Sequence, residues 1–275
     1  MIESGKKERT VLCCLTTEVV KVVEPVNFYE ATTVYIISDS ASDRPKAEAE
    51  FYKVFVEEAK NRIERSGNVE VRIVPADLDD YQSLLRAIIS TVTAERARCD
   101  GYVDLYLNVS SGTPEYIAAA MVATIQDKDL IAFTVKTKSK SLSPERLNEL
   151  LINNGKPVGM SAEVFDPTLI MTFGPYQPSK KLVSCLKVIK ELDEVKRYPS
   201  FTEIIAKMKE EGIWDYEPES KKNLTDDAQK ERMYFRRNYI DPMVLNGWVS
   251  EENTKRNRYV LTRTGEAVVK VYHID

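Results

Sequence analysis

The residues of this chain best suited to binding chemistry lie in one short segment rich in hydroxyl side chains. Residues 108–115 read NVSSGTPE and fall between an apolar strand-like run and a long apolar helical run. Pro114 suits the first position of that helix, and Thr113 suits its N-cap. Free N–H groups at a helix start, flanked by hydroxyls and a flexible glycine, form a neutral cradle for a phosphate or a ribose hydroxyl. The alternative is a plain capped turn in which Ser110 and Ser111 only satisfy backbone groups.

The same segment lacks the features of the common nucleotide-hydrolysing and hydride-transferring sites. It has neither the lysine of GxxxxGK[ST] nor the three spaced glycines of GxGxxG. The chain contains one histidine, His273, near its carboxyl end. Serine and cysteine triads, HExxH zinc sites and histidine-based ribonuclease chemistry all need an imidazole in a formed site. Catalysis here would therefore rest on Asp, Glu, Lys, Tyr or backbone groups, and we expect no metal and no cofactor.

Alternating strand-like and helical segments predict the scaffold that positions this segment. Short apolar runs separated by helical patterns are typical of a parallel βα series. The expected fold class over residues 1–175 is therefore α/β, with a Rossmann-like parallel sheet in a three-layer sandwich. The predicted strands are 10–15, 33–37, 69–74, 102–107, 130–135 and 169–173, and the predicted helices are 45–65, 81–98, 114–126 and 144–153.

The pattern changes at residues 174–178, a turn-rich stretch with two prolines. Beyond it the sequence predicts three helices followed by a β-hairpin, which is the order of a winged helix-turn-helix. Residues 176–275 are therefore expected to form a second, smaller domain of that type. Its predicted helices are 180–196, 200–211 and 225–239, and the strands expected to close the chain are 248–251 and 258–262.

Length and composition agree with two domains of a cytoplasmic protein. The chain has 275 residues, enough for two cores. Residues 1–178 carry a net charge of −6 and residues 179–275 one of +2, so the second domain is the better candidate for nucleic-acid binding. No apolar run approaches the roughly 20 residues of a membrane helix, and the first residues are charged. The cysteines, Cys13, Cys14, Cys99 and Cys185, show no CxxC spacing and are expected to be reduced packing residues.

The hydroxyl-rich segment resembles the signature of CRISPR-associated Rossmann fold (CARF) domains, which bind cyclic oligoadenylates. That signature is an apolar strand followed by Asn-x-Ser/Thr-Gly-Gly-Thr and a helix of small residues. Asn108, Ser110, Gly112 and Thr113 match it, and Ser111 stands in place of the usual first glycine. The resemblance extends to the order of elements over residues 10–175.

The resemblance implies a ligand and a partner. In that family the ligand lies across the two-fold axis of a homodimer and contacts the loops after the first and fourth strands. We therefore expect a homodimer that binds cyclic oligoadenylate, with cyclic tetra-adenylate as the expected ring. The implied ligand-binding residues are Thr16, Thr17, Glu18, Asn108, Ser110, Ser111, Gly112 and Thr113. Further candidates at the same sheet edge, after the second and fifth strands, are Ser38, Asp39, Lys136 and Thr137.

Basic residues in the third helix of the second domain are candidates for DNA binding. Arg232 and Arg236 lie one turn apart on one face, while Met233, Ile240 and Val244 are expected to face the core. Arginine pairs with phosphates and with guanine edges, as insertion into the major groove requires. The alternative is a solvated charged helix, since acidic residues are interspersed. The full candidate set is Lys230, Arg232, Arg236 and Arg237 in the helix, and Lys255, Arg256 and Arg258 at the wing.

A CARF-like domain joined to a winged helix resembles CRISPR-associated transcription regulators. This resemblance implies a dimeric regulator of antiviral defence, in which the bound ring modulates DNA binding by paired winged helices. Two alternatives stay open. A ring nuclease would cleave the cyclic ligand in the same pocket without a metal. A transcription regulator with a Rossmann-like domain would respond to another nucleotide or metabolite.

Overall fold

A parallel sheet organises the amino-terminal part of the protein. The computed structural model describes residues 7–40, 45–153, 155–157, 170, 173–195, 199–217, 224–252 and 258–274. The strands of the sheet are β1 (Glu8–Cys14), β2 (Thr33–Asp39), β3 (Glu70–Ala76), β4 (Val103–Asn108) and β5 (Leu130–Phe133). They are parallel and lie in the order β3-β2-β1-β4-β5, which places β1 at the centre.

Helices cover both faces of this sheet. α1 (Val19–Phe28) and α2 (Lys46–Ser66) pack on one face, and α3 (Tyr81–Arg98) and α4 (Pro114–Gln126) pack on the other. Successive side chains of a strand point to opposite faces. Cys13 accordingly lies in the core under α1 and α2, whereas Cys14 lies in the core under α3 and α4. The expected Rossmann-like α/β sandwich is confirmed.

The order of the strands creates a crevice beside β1. The chain runs from β1 outward through β2 to β3, and then crosses to β4 on the other side of β1. Loops diverge at the carboxyl ends of the strands where the order reverses in this way, and ligands of open α/β sheets bind there. Here the reversal lies between β1 and β4, so the loops that follow these two strands flank it. Cys13 and Asn108 are paired at this edge.

The chain beyond β5 adds smaller elements. α5 (Pro144–Leu151) precedes a short hairpin of β6 (Ile152–Asn153) and β7 (Lys156–Pro157), which the sequence pattern did not predict. The strand expected at 169–173 falls largely outside the described residues, and Ile170 and Phe173 lie outside any strand. Within the described ranges, no helix contains a segment long and apolar enough to cross a bilayer.

The carboxyl-terminal part is a helical unit with one β-hairpin. α6 (Lys180–Val195), α7 (Phe201–Glu210) and α8 (Leu224–Phe235) precede the hairpin of β8 (Val249–Glu252) and β9 (Arg258–Leu261). This order is compatible with the expected winged helix-turn-helix. The expectation that two strands close the chain is wrong, because a further helix follows them. That helix is α10 (Arg263–Tyr272), whose start is capped by Thr262.

The third helix of this unit does not end at residue 239 as predicted. A π-helical turn (Arg236–Ile240) joins α8 to α9 (Asp241–Leu245), and in it the Asp241 N–H bonds to the Arg236 carbonyl. Proline has no N–H to donate, and its ring crowds the carbonyl one turn earlier. The wider turn relieves that crowding, so the helix continues past Pro242.

The core side of this helix also differs from the expectation. Met233 and Val244, predicted to be buried, are 47% and 39% exposed. Phe235 and Tyr239 take core positions because their rings pack against Trp214, at centroid distances of 6.0 and 5.7 Å. The buried residues of the region are Phe235, Tyr239, Ile240 and Met243, of which only Ile240 was expected.

A buried carboxylate ties α3 to the strands of the sheet. The Glu95 side chain is fully buried and accepts hydrogen bonds from Thr10 Oγ1 (2.5 Å) and Tyr35 OH (2.8 Å). Arg98 donates to both of its carboxylate oxygens at 2.8 Å. Burial alone raises the pKa of Glu95, but the hydrogen bonds, led by those from Arg98, outweigh burial and lower this pKa to about 2. Glu95 is therefore charged in the folded protein at neutral pH.

Glu95→Gln is expected to lower the free energy of unfolding by about 3 kcal/mol at pH 7, because Arg98 loses its charged partner. The folded-state pKa lies below the ordinary value of 4.5, so this contribution is present above that pH and is lost as the pH falls toward 2. Urea unfolding at pH 7 and pH 3 measures both effects. The control is Glu57→Gln, an exposed partner of Lys53 at 3.8 Å, with an expected change below about 0.5 kcal/mol. Equal stability of Glu95→Gln and wild type at pH 7 would contradict this account.

Candidate functional site

The loop after β4, residues 109–113, lies at the carboxyl edge of the sheet, against the end of β1. Its first anchor is Asn108, the fully buried last residue of β4. Asn108 Nδ2 donates to the Lys21 carbonyl in α1 at 2.8 Å, and Asn108 Oδ1 accepts from the Ser110 N–H at 2.9 Å. This side chain therefore holds the start of the loop against α1.

Two serines tie the loop to the segments on either side of it. Ser111 is buried, and its Oγ donates to the Cys14 carbonyl at the end of β1 at 2.5 Å. Ser110 Oγ accepts from the Val135 N–H, just beyond β5, at 2.5 Å. The loop is thus hydrogen-bonded to the chain that leaves β1 and to the chain that leaves β5.

Thr113 ends the loop and begins α4, as predicted. Its Oγ1 accepts from the Tyr116 N–H at 3.2 Å and donates to the Leu78 carbonyl, between β3 and α3, at 2.9 Å. Tyr116 OH in turn donates to the carbonyl of Asn108 at 2.9 Å. The start of α4 is therefore bound both to the loop itself and to the segment that precedes α3.

Gly112 is required by the shape of the loop. Its φ of 97° lies in the left-handed region that disfavours residues with a Cβ. A Cβ at this position would lie 2.8 Å from Tyr116 Cδ1 and 2.9 Å from Cys14 Cβ. Both of those side chains are fully buried, so neither has free space into which to move. The backbone of the loop consequently lies flush against the end of β1.

The polar side chains expected to contact a ligand already have partners inside the protein. This holds for Asn108, Ser110, Ser111 and Thr113. The N–H groups of Ser111 and Gly112, by contrast, have no hydrogen-bond acceptor among the described residues. They directly precede Thr113, the N-cap of α4, near the end of the helix where its dipole favours negative charge. The loop therefore has two backbone donors that no internal acceptor among the described residues uses.

The titratable groups packed against the loop are neutral at physiological pH. Burial raises the pKa of the Cys14 thiol to about 12, although an interaction with the Thr113 N–H partly offsets this rise. Burial also raises the pKa of Tyr116 well above its ordinary value. Within the described part of the chain, no cluster of three or more His, Cys, Asp or Glu residues is placed to hold a metal ion.

A cleft of about 1010 Å³ adjoins the loop on the side of α1 and α2. Lys21 and Val135, the hydrogen-bond partners of Asn108 and Ser110, both line it. The structure brings four predicted ligand residues together here, namely Thr17, Glu18, Lys136 and Thr137. Thr16, Ser38, Asp39 and residues 108–113 lie outside its lining. Ser38 and Asp39 are half-buried at the end of β2, on the far side of β1 from the loop after β4.

Basic and apolar side chains line the cleft, together with the carboxylates of Glu18, Glu24 and Glu58. Lys136, Lys138 and Lys140 have no ion-pair partner among the described residues, whereas Lys21 pairs with Glu18 at 3.5 Å. Lys138 and Lys140 were not among the predicted ligand residues, although the alternation in KTKSKS is a signal of an exposed basic loop. The apolar residues of the lining were not predicted either and include Val20, Val54, Phe55 and Leu142. Such a surface suits a ligand with phosphates and aromatic bases.

The basic residues of the carboxyl-terminal unit lie on an exposed surface. All four helix candidates are exposed, namely Lys230, Arg232, Arg236 and Arg237. Arg232 donates to Thr202 Oγ1 of α7 at 3.1 Å, and Arg236 lies 3.5 Å from the carboxylate of Asp241. Arg237 has no ion-pair partner among the described residues and lines a cavity of about 600 Å³ together with Lys230.

The wing is only partly described. Lys255 and Arg256 lie outside the described residues. Arg258 is the first residue of β9 and is paired with Glu252 of β8. The structure therefore exposes all four helix candidates and brings Lys230 and Arg237 together at one cavity, whereas Arg232 and Arg236 lie outside its lining. The wing residues stay a prediction.

Comparison with known proteins gives a family match over the α/β unit. A family model described as "HFX_2341_N:-like, N-terminal" matches residues 10–140, from β1 to the segment beyond β5. No curated protein matches the chain.

Two solved structures are similar at low identity. Enterococcus italicus Csm6 bound to cyclic hexa-2'-fluoro-hexa-dAMP has 12% identity and a TM-score of 0.37, over 52% of this chain and 36% of the Csm6 chain. Can2 from Sulfobacillus thermosulfidooxidans in complex with cyclic tetra-adenylate (cA4) has 12% identity and a TM-score of 0.36, over 95% of this chain and 64% of the Can2 chain. The protein thus spans less than two thirds of the length of either structure.

Gly112→Ala is expected to lower the free energy of unfolding by about 2–4 kcal/mol, because a left-handed backbone and two close contacts act together. Gly101→Ala is the matched control, since Gly101 has a φ of 79° but open space around its Cβ position. The control should lose only about 1 kcal/mol, from the backbone alone. Chemical denaturation measures both values. Equal losses at the two glycines would contradict the close packing of the loop.

Proposed function

We propose that this protein is a dimeric sensor of cyclic oligoadenylate, and that ligand binding at the strand edge changes how its carboxyl-terminal unit binds DNA. The observation that carries the proposal is the loop after β4. Its side chains are bonded inward, and the N–H groups of Ser111 and Gly112 are left for a ligand. The match of this loop to the CARF signature supports the same conclusion.

The site matches the chemistry of an oligonucleotide. Backbone N–H groups at a helix start suit phosphate oxygens and ribose hydroxyls. Lys136 is exposed at the rim of the cleft and suits a phosphate. The half-buried ring of Phe55 in the lining of the cleft suits stacking against a nucleotide base. A ligand with several phosphates and several bases would use the loop and the cleft together.

A second copy of the chain is proposed to complete the site, since a ring-shaped ligand is larger than one loop. The outer face of α4 supports this arrangement. Ile117, Met121 and Ile125 are four residues apart on one side of the helix and are 41%, 44% and 60% exposed. An apolar stripe of this kind is typical of a surface that a partner covers. Because α4 begins at the loop, a dimer formed through α4 would bring the loops of both copies near the two-fold axis.

The proposed activity is binding rather than cleavage. A general base needs a pKa near the working pH. Cys14 and Tyr116, the titratable side chains packed against the loop, both have pKa values far above that range. We expect the bound ring to be recovered intact after long incubation with excess protein; recovery of a cleaved ring would favour the ring-nuclease alternative, which needs only in-line positioning of a ribose hydroxyl.

Exposed basic side chains support the DNA-binding part of the proposal. Lys230 and Arg237 line one cavity on the surface of α8 and the π-helical turn, together with the acidic residues Asp215, Glu217 and Asp227. The carboxyl-terminal segment also carries the positive share of the net charge. Two such units in a dimer would contact two half-sites of an operator.

Calorimetric titration with cyclic tri-, tetra- and hexa-adenylate tests the ligand class. We expect one ring per dimer, with cyclic tetra-adenylate binding most tightly. Lys136→Met should weaken that binding about tenfold, because it removes a charge-assisted contact to phosphate. Lys128→Met is the matched control, since Lys128 is also exposed but precedes β5 at the opposite end of the strand. Failure of every ring to bind would contradict the proposed function.

Arg237→Met is expected to weaken binding to duplex DNA of any sequence and to reduce the slope of log affinity against log salt by about 1. Fluorescence anisotropy at several salt concentrations measures this slope. Arg65→Met is the control, because Arg65 is an exposed residue of α2 in the α/β unit; this variant should leave the salt slope unchanged. An unaltered slope for Arg237→Met would place the DNA-binding surface elsewhere.

A further inference from the structure

One helix belongs to both parts of the protein. α10 follows the hairpin of the carboxyl-terminal unit, and Val268 and Val269 lie in the core of that unit. Val271, further along the same helix, lies in the core formed by the sheet, α3 and α4. Tyr272 packs against both cores. A movement of α10 relative to either unit would therefore disturb a buried apolar contact.

The first turn of α10 is fixed to the base of the hairpin. Thr262 Oγ1 accepts from the Gly265 N–H at 3.1 Å and donates to the Gly247 carbonyl at 2.6 Å. A Cβ on Gly265 would lie 2.1 Å from the Trp248 carbonyl oxygen, so helix and hairpin are in direct backbone contact. This end of α10 consequently moves with the hairpin.

The last turn of α10 is fixed to the α/β unit. Lys270 Nζ lies 2.5 Å from the Asp80 carboxylate, and Arg86 Nη1 donates to the Lys270 carbonyl at 2.7 Å. Tyr272 OH donates to Gln126 Oε1 at 2.9 Å. Asp80 is the N-cap of α3, and Gln126 is the last residue of α4. α10 thus contacts both helices on this face of the sheet.

These contacts lead back to the loop after β4. Thr113, which begins α4, donates to the Leu78 carbonyl, and Leu78 is two residues from Asp80 in the segment before α3. Asp80 also accepts a hydrogen bond from the Gln82 N–H at 2.9 Å. The carboxylate of Asp80 is therefore fixed to the first turn of α3. A continuous series of contacts therefore connects Thr113 to Lys270 through Leu78 and Asp80.

We infer that α10 transmits a change at the strand edge to the hairpin and helices of the carboxyl-terminal unit. A ligand that displaces Thr113 alters its bond to Leu78, and Asp80 then repositions the last turn of α10. Because the first turn is fixed at Trp248, the hairpin follows. Such coupling requires that the ligand bind the two arrangements with unequal affinity. The inference deepens the proposed function and rests on it for the identity of the ligand.

Amide hydrogen exchange of the protein without ligand tests the connection itself. Thr113→Val removes the hydroxyl with little change of shape, and Thr113→Ser keeps a hydroxyl and a good N-cap. In Thr113→Val we expect exchange over residues 266–273 to rise by about two- to thirtyfold, and in Thr113→Ser to match the wild type. The combined Lys270→Met and Tyr272→Phe variant removes two polar links of α10. In that background Thr113→Val should no longer change exchange in α10.

A control separates transmission from a general loss of stability. Ile63→Val shortens a fully buried side chain of α2, on the other face of the sheet from these contacts, and is expected to destabilise by a similar amount. It should leave the ratio of exchange in α10 to exchange in β1 unchanged. The inference is overturned if Thr113→Val leaves α10 unaffected, or if Ile63→Val raises that ratio equally.

A second arm adds cyclic tetra-adenylate and duplex DNA. In the wild type the ligand should change both exchange in α10 and DNA affinity. In the combined Lys270→Met and Tyr272→Phe variant it should change neither, although the ring still binds. An unchanged ligand effect on DNA in that variant overturns the inference and leaves the proposed function standing. If the wild type binds no ring, the proposed function fails, and the arm without ligand still decides the inference.

Discussion

The fit of Gly112 between the buried side chains of Cys14 and Tyr116 is the constraint on which the strand-edge site depends. A Cβ at this position would clash with both side chains, because the loop after β4 lies directly on the end of β1. The hydrogen bonds of Asn108 and Ser111 then hold the backbone of the loop in place. The donors of the proposed site are therefore backbone N–H groups in a fixed loop and not flexible side chains. The same packing fixes the start of α4. The positions of the exposed apolar stripe of α4 and of the Thr113 contacts that lead to α10 depend on that start.

Elements with local signals at both ends could be predicted from the sequence. The predicted bounds of α3 and α4, 81–98 and 114–126, agree with the structure. α3 begins after an Asp80 N-cap, and α4 begins with Thr113 and proline. The central strands β1 and β2 carry near-continuous apolar runs because both faces of the sheet are covered there, and this pattern is visible without any tertiary information. The position of the candidate loop followed from the same series of strands and helices.

Features that depend on distant residues were beyond the sequence analysis. Ser111 bonds to the carbonyl of Cys14, 97 residues away. The sequence alone does not distinguish such a serine from one that contacts a ligand. The cleft joins α1, α2 and the lysine-rich segment after β5, which are far apart in sequence. The buried residues of α8 and the π-helical turn also depend on a distant residue. The rings of Phe235 and Tyr239 pack against Trp214, and this contact is not visible in the local sequence pattern. α10 has a Thr262 N-cap and apolar residues at helical spacing, but it was not predicted because it is short and directly follows a strand.

Nuclear magnetic resonance of the backbone amides during titration with cyclic tetra-adenylate tests the central claim most directly. The account holds that the N–H groups of Ser111 and Gly112 are the donors that a ligand uses. Both amide signals should shift progressively and reach saturation, while the amide of Gly101, at the opposite end of the sheet, should stay unchanged. Unchanged Ser111 and Gly112 signals at a saturating concentration of the ring would show that the loop is only a capped turn, and would contradict the account.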